Sequence, residues 1–453
     1  MRELVSGRKQ RASRDAGADY TIPQGTPFTL TGSASDPDGD ALTYTWEQYD
    51  VAANPRPINT DTGEGPLFRS VPPGPDASRT FPNLADILSN TVRNGEFLPT
   101  TNRTMTFRLT ARDNRSGGGG VASDDAVLTV AGSPFFITSP NGGENFAAGC
   151  AMPVTWTIGG GSVATQIDLG FSNNGGTSFA PLLGATANDG AASPLAPCTA
   201  TGMARVKASG VGNVFFDVSN NNFSIATEPP TVAVQATGGA VDDQCEFVVQ
   251  FKAAVEDDCG VSASDVDVQA IKQTNNFDLG PVQFNAMQTD ATHVAVTGSV
   301  LVSNLSGSPA ILELQATGKD NCGLTTSDEI EVQVVDDTPP AINVTLDPTL
   351  LWPPNHRLTN VHASVAVTDN CPGASFVLTS VTSNEPDNGQ GDGNTTGDIQ
   401  DADFGTSDVD VSLRAERSGG GMGRIYTFTF TATDASQNDA TSMPVVVVPH
   451  SKK

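Results

Sequence analysis

The chain has 453 residues, with 51 acidic and 24 basic side chains, a formal net charge of −27 and a pI near 4.2. Such an acidic surface argues against nucleic acid and against anionic membrane as partners, because both are held by clustered Lys and Arg. It leaves two uses for the acid: solubility, and the binding of a hard cation such as Ca²⁺.

Glycine (46) and proline (30) are frequent, and 37% of the residues are hydrophobic, enough for several small cores. No stretch of twelve residues carries a helical stripe. Short alternating runs recur between clusters of Gly, Pro, Asn and Asp, which predicts an all-β chain of tandem β-sandwich domains. The opening residues 1–14, MRELVSGRKQRASR, read as a disordered basic lead. They hold no apolar run of the signal-peptide kind, so the expectation is an N-terminally truncated piece of a longer secreted chain. No apolar run is long enough for a transmembrane helix.

The first domain is predicted over residues 15–132. Its strands include 28–34, 41–49, 104–111 and 126–130, with one helical turn at Leu84–Leu88 and a hairpin tip at Gly117–Gly120. Between the first two strands lies SASDPDGDALTYTWEQYD, in which Asp36, Asp38 and Asp40 alternate. The spacing approaches an EF-hand loop, but the glycine is Gly39, at the fourth position and not the sixth, and strand-like sequence flanks it where helices are needed. A loop joining two strands is expected, with Trp46 pointing into the core.

The second domain is predicted over residues 133–227. SNNGGTSF, Ser172–Phe179, reads there as a structural hairpin. A third follows at 228–338 and a fourth at 339–453. The first, third and fourth share a pattern. An early strand ends in acid at Asp36, at Asp257-Asp258 and at Asp369; a late strand does so at Asp113, Asp320 and Asp434. If the early strand is the second and the late strand the sixth of a sandwich, both loops lie at one end of the domain. The linker acids Asp336 and Asp337 arrive at that end too. The expectation is a Ca²⁺ site at one or more of these ends, completed by backbone carbonyls and water. The competing reading is that Asp, Asn and Gly simply favour turns.

Six cysteines, none in a CxxC pair, and only four histidines point to disulfides in an oxidising compartment and away from zinc. Cys150 and Cys198 are expected to pair. Of the remaining four, Cys259 with Cys322 is the first choice, which leaves Cys245 to reach Cys371 and tie the third domain to the fourth. In the fourth domain, Trp352 of LWPPNHRL is expected to cap the core and His356 to bond backbone. The loop from Glu385 gathers Asp387, Asp392, Asp398, Asp401 and Asp403, and Arg414, Glu416, Arg417 and Arg424 are expected to pair weakly across a hairpin.

Some of these residues look familiar. DAGADYTIPQGTPFTLTGSASDPDGDALTYTWEQYD resembles a PKD-type domain found behind the protease domain of bacterial reprolysin-like metallopeptidases, and RTFPNLADIL fits the same group. ITSPNGGENF and FFDVSNNNFSI resemble the β-sandwich that follows there. Residues 228–338 are similar to HYR or cadherin-like repeats. LWPPNHRL, VTSNEPDNGQGDG and LRAERSGGGMGRIYTFTFTATD resemble a C-terminal module of secreted bacterial proteins. The resemblance implies four immunoglobulin-like or PKD-like sandwiches. It implies a zinc protease only where HExxH is present, and His293, His356, His362 and His450 do not form one. No nucleophile motif is present either. The expected function is therefore a non-catalytic extracellular adhesion or spacer region that meets protein, glycan or matrix surfaces. The alternatives are the accessory region of a reprolysin-like peptidase without its catalytic domain, and a carbohydrate-binding or carbohydrate-active protein.

Overall fold

The computed structural model describes residues 13–55, 57–116, 119–159, 163–389, 393 and 395–451. The chain divides into two compact units, Met1–Glu228 and Pro229–Lys453. Each contains two antiparallel sandwiches. Among the described residues the one helix is the short Leu84–Leu88, capped by Asn83, whose side chain accepts from the Ala85 amide.

One strand plan repeats. In the first sandwich the short strand Tyr20–Ile22 runs parallel to the last strand, Val121–Val130, which pairs with Arg103–Arg112 and, through it, with Thr43–Gln48. Phe28–Thr31 and Ser78–Phe81 form the facing sheet. Alternation places Met105, Phe107 and Leu109 inward against Phe28 and Phe81, all buried. Trp46 is 2% exposed and donates its indole N–H to the Ala77 carbonyl at 2.8 Å. In the second sandwich Asn145–Ala147 runs parallel to Phe223–Ala226, beside Thr201–Gly210, Gln166–Ser172 and Ala180–Ala187. SNNGGTSF forms the hairpin between the last two of these, with the Ser172 hydroxyl accepting from Gly176.

In the second unit, Gly239–Ala240 runs parallel to Thr325–Val335, followed by Ala310–Asp320 and Val261–Lys272. The facing sheet holds Thr231–Ala236, Glu246–Glu256 and His293–Ser303. The fourth sandwich pairs Ala341–Asp347, Leu358–Thr368 and Asp410–Arg414 on one side. Ser375–Ser383, Gly423–Thr433 and Val445–Pro449 form the other. Leu350 bridges in parallel to Val447. A short early segment parallel to the last strand thus occurs in all four sandwiches. The third and fourth keep separate cores, but Cys371, a residue of the fourth, packs in the core of the third.

Candidate functional site

The strand order places the early acidic loop and the late acidic loop of a sandwich side by side in the first, third and fourth domains. What the paired loops hold differs in each.

In the first, Asp36, Asp38 and Asp40 bring carboxylate oxygens within 4.8 Å of one another. The Asp36 carboxylate accepts from the Asp38 and Asp40 amides at 2.9 and 3.3 Å, a turn closed by its own side chain. The late loop does arrive, but it contributes Arg115, whose Nη1 lies 3.4 Å from Asp38 and 3.3 Å from Asp40. Asp113, expected as the other half of the site, is not one of the clustered acids. Its carboxylate accepts from the Gly120 and Arg115 amides and shapes its own loop. A guanidinium thus stands where a cation was expected.

In the third sandwich, Asp257 accepts from the Cys259 and Gly260 amides, and Asp320 from those of Cys322 and Leu324. Asp258 is exposed. The loops touch through Asn321, whose side-chain amide donates to the Cys259 carbonyl at 2.9 Å. Cys259 and Cys322, one in each loop, are both disulfide-bonded, as are Cys150 and Cys198. The acids here serve turns and form no group of three among the described residues.

The fourth end is different. Asp336 comes from the linker, Asp369 from the early loop and Asp434 from the late loop, and their oxygens lie within 4.8 Å of one another. Asp336 and Asp434 are 4% and 3% exposed. Ser436 donates to the Asp336 carboxylate at 3.2 Å, and Asn438 donates to Asp434 through both its backbone amide and its side chain. Asp369 accepts from the Cys371 amide with one oxygen, while its other oxygen is buried with no hydrogen-bond partner. The side-chain oxygen of the adjacent Asn370 is also buried and unpartnered. Burial, and then the charges of Asp336 and Asp434, push Asp369 above the usual carboxylate range. Among the described residues no Lys or Arg forms an ion pair with any of the three. Asp337, next to Asp336 on an extended chain, is exposed and stays outside the group.

Beside this cluster the structure pairs Cys245 with Cys371, with Cα atoms 4.9 Å apart. Asn370 donates to the Asp242 carbonyl at 3.0 Å, so the early loop of the fourth sandwich is fastened to the third by a covalent bond and a hydrogen bond. Three carboxylates, one of them with an orphaned oxygen, fit a hard divalent cation, which takes six to eight oxygens. A buried carboxylate without a partner is costly, and a cation at that point would remove the cost.

The charged residues near SGGG do not form a weak surface hairpin pair. Arg424 and Glu416 are fully buried. Arg424 bonds Asp398 and Glu385 and donates to the Pro386 carbonyl at 3.1 Å. It lies on the inward face of Gly423–Thr433, with Tyr426, Phe428 and Phe430, so the long loop must bring its acids in to meet it. Burial and then Glu416 push Asp398 up to about 6. Asp387 closes the loop by accepting from the Gly397 and Asp398 amides. Asp401 and Asp403 are exposed, and Asp392 lies outside the described residues. His356 faces the Glu416 carboxylate at 3.1 Å, where a backbone partner was expected. Trp352 is 37% exposed, and the neighbouring Leu351, at 2%, fills the core in its place.

No family model and no curated protein matches this chain. Solved structures do. An eight-domain N-terminal fragment of Down syndrome cell adhesion molecule is 10% identical with a TM-score of 0.20; 94% of this chain is covered, but the chain spans only 53% of that fragment. Cadherin domains 3–6 of protocadherin gamma B2 are 12% identical at 0.23, covering 98% of this chain and 100% of that one. The D1–D4 ectodomain fragment of ICAM-5 is 10% identical at 0.25, covering 97% and 99%. Likenesses this distant carry no argument of their own. The assignment as tandem immunoglobulin-like and cadherin-like sandwiches rests on the strand order given above, and the disulfide-bonded cysteines fit an oxidising compartment.

Proposed function

We propose that this chain is a non-catalytic extracellular spacer or adhesion region whose third and fourth sandwiches are fixed to one another by Ca²⁺. The observation that carries the reading is the triad Asp336, Asp369 and Asp434, drawn from a linker and two loops, with the Asp369 oxygen buried and unpartnered. Asp336, Asp369 and Asp434 would hold the ion, with backbone carbonyls and water completing the shell. The ion would offset three like charges and hold the linker against both loops. The disulfide Cys245–Cys371 supports the same role, because it ties the same two sandwiches covalently. Partners of such a region are surfaces of extracellular protein, glycan or matrix, met through loops and sheet edges. The resemblance of residues 15–226 to the region behind reprolysin-like protease domains favours a second reading, in which the region serves a catalytic domain carried elsewhere.

The test is thermal unfolding of the chain in Ca²⁺ and in chelator. Ligand linkage gives ~2.7 kcal/mol at a hundredfold excess over Kd. For a unit of this size that is roughly 5–10 °C in Tm. Asp434→Ala should abolish the response. A response that survives Asp434→Ala, or none at millimolar Ca²⁺, would leave the triad as turn chemistry and remove the proposal.

A further inference from the structure

In the first compact unit a recess of about 420 Å³ lies where the two sandwiches meet. The docking around it is specific. Phe216 donates its amide to the Pro27 carbonyl at 2.9 Å, and the Asn90 side chain donates to the Asn220 carbonyl at 2.8 Å. The walls are apolar: Ile87 and Phe97 on one side, Phe136 and Val218 on the other. Three carboxylates, Asp86, Glu96 and Asp217, line the same space, and among the described residues no Lys, Arg or His does.

Two of those acids already have cations behind the wall. Arg93 bonds Asp86 at 2.6 Å, and Arg79 bonds one oxygen of Glu96 at 2.8 Å, with Arg69 at 3.7 Å. The other oxygen of Glu96, a residue only 3% exposed, is buried and unpartnered. Asp217 pairs with no cation among the described residues. It accepts from the Ile137 amide at 2.7 Å. Lys207, on the strand beside it, lies over the Phe216 ring at 4.2 Å and does not line the recess. The volume suits a small organic molecule. A bare metal ion would find two of the three carboxylates already bonded to guanidinium groups. An anion would meet three carboxylates.

We propose that this recess is a binding site for a small primary ammonium ion with an apolar body, the alkyl chain lying between Ile87 and Phe136 and the ammonium donating to Asp217. Burial holds Asp217 up at about 7, so the empty site keeps a proton there for part of the time at neutral pH. Ammonium binding needs the carboxylate and therefore expels that proton. Affinity rises as pH passes through 7 and levels off above it, while the amine itself stays charged to about pH 10. Asp86 and Glu96, held by Arg93 and Arg79, keep their partners throughout.

The experiment is calorimetric titration of the full chain with n-hexylammonium chloride, with n-hexanol and hexanoate as controls. The expected result is millimolar binding at pH 8 that weakens about tenfold at pH 6, as the ionised fraction of a group titrating near 7 falls. Neither control should bind. Amide shifts on binding should centre on Phe136–Ile137 and Asp217–Val218. Asp217→Asn should lose at least tenfold in affinity. Should that variant fold poorly, Val92→Lys tests the same point from the rim. Val92 is 67% exposed, so the change leaves the core alone while offering the site a tethered ammonium that competes with the probe. Equal binding of n-hexanol, an unchanged affinity in both variants, or no binding at pH 8 would each overturn the proposal.

Discussion

The first and fourth sandwiches end in the same pair of loops, and each gathers three aspartates within 4.8 Å. At the first end the acids are largely in water, with Asp38 and Arg115 each about half exposed. Solvent screens such charges, and the pairing with Arg115 is worth little. At the fourth end two of the three are almost fully buried, and among the described residues no guanidinium reaches them. The same residue type at the same place in the fold is therefore turn and surface chemistry in one domain and an unmet electrostatic demand in the other. Burial decides between them, not the number of acids.

Replacing Cys245 and Cys371 with serine removes the covalent tie beside the fourth end. Closing a loop of this length accounts for ~5 kcal/mol in the chain-entropy model, to be read as a lower urea midpoint of the second unit. Chelation comes next, at ~2.7 kcal/mol for a hundredfold excess of Ca²⁺ over Kd. Hydrogen exchange locates it: chelator should expose the amides around Asp369 and Asp434 and leave those around Asp36 and Asp113 unchanged. Equal exposure at both ends would erase the distinction.

A smaller effect concerns pH. Asp369 is raised in the folded state, so its contribution to stability is present at low pH and is lost as pH rises through the folded value. In chelator, Asp369→Asn should be more stable than the parent at pH 7, with the difference shrinking as the pH falls towards 4. In Ca²⁺ the order should reverse, because the variant loses a ligand. The smallest effect is Arg115→Ala, at under ~1 kcal/mol. It sharpens the comparison if, with the guanidinium gone, exchange at the first end becomes sensitive to Ca²⁺.

Much of this was legible in the residues. Acid following an alternating apolar run marks where a strand leaves the sheet, so the convergence of early and late loops could be read from spacing. Which atom turns inward could not. Asp113 and Arg115 lie two residues apart in one loop, and the left-handed Asn114 between them redirects the chain, so the guanidinium reaches across while the carboxylate turns back. Asp336 against Asp337, and Leu351 against Trp352, are adjacent pairs just outside the strands, where no alternating pattern says which neighbour turns inward. The burial of Arg424 did have a signal, since Arg424, Tyr426, Phe428 and Phe430 alternate along one strand. Charge alone suggested a surface pair and overrode it. The recess around Asp217 had none, because its walls come from stretches far apart that meet only when two sandwiches dock.

The disulfide Cys245–Cys371 also has a mechanical meaning. It closes a covalent ring over a sequence separation of 126 residues. When the chain is pulled from its two ends, the load passes across that bond and does not run along the enclosed backbone. The strands from Glu246 to Thr368 lie inside the ring, shielded from tension while the bond is intact. Reduction would bring that stretch, roughly 400 Å of extended contour, under the load. The junction is thus a reserve of length gated by redox chemistry.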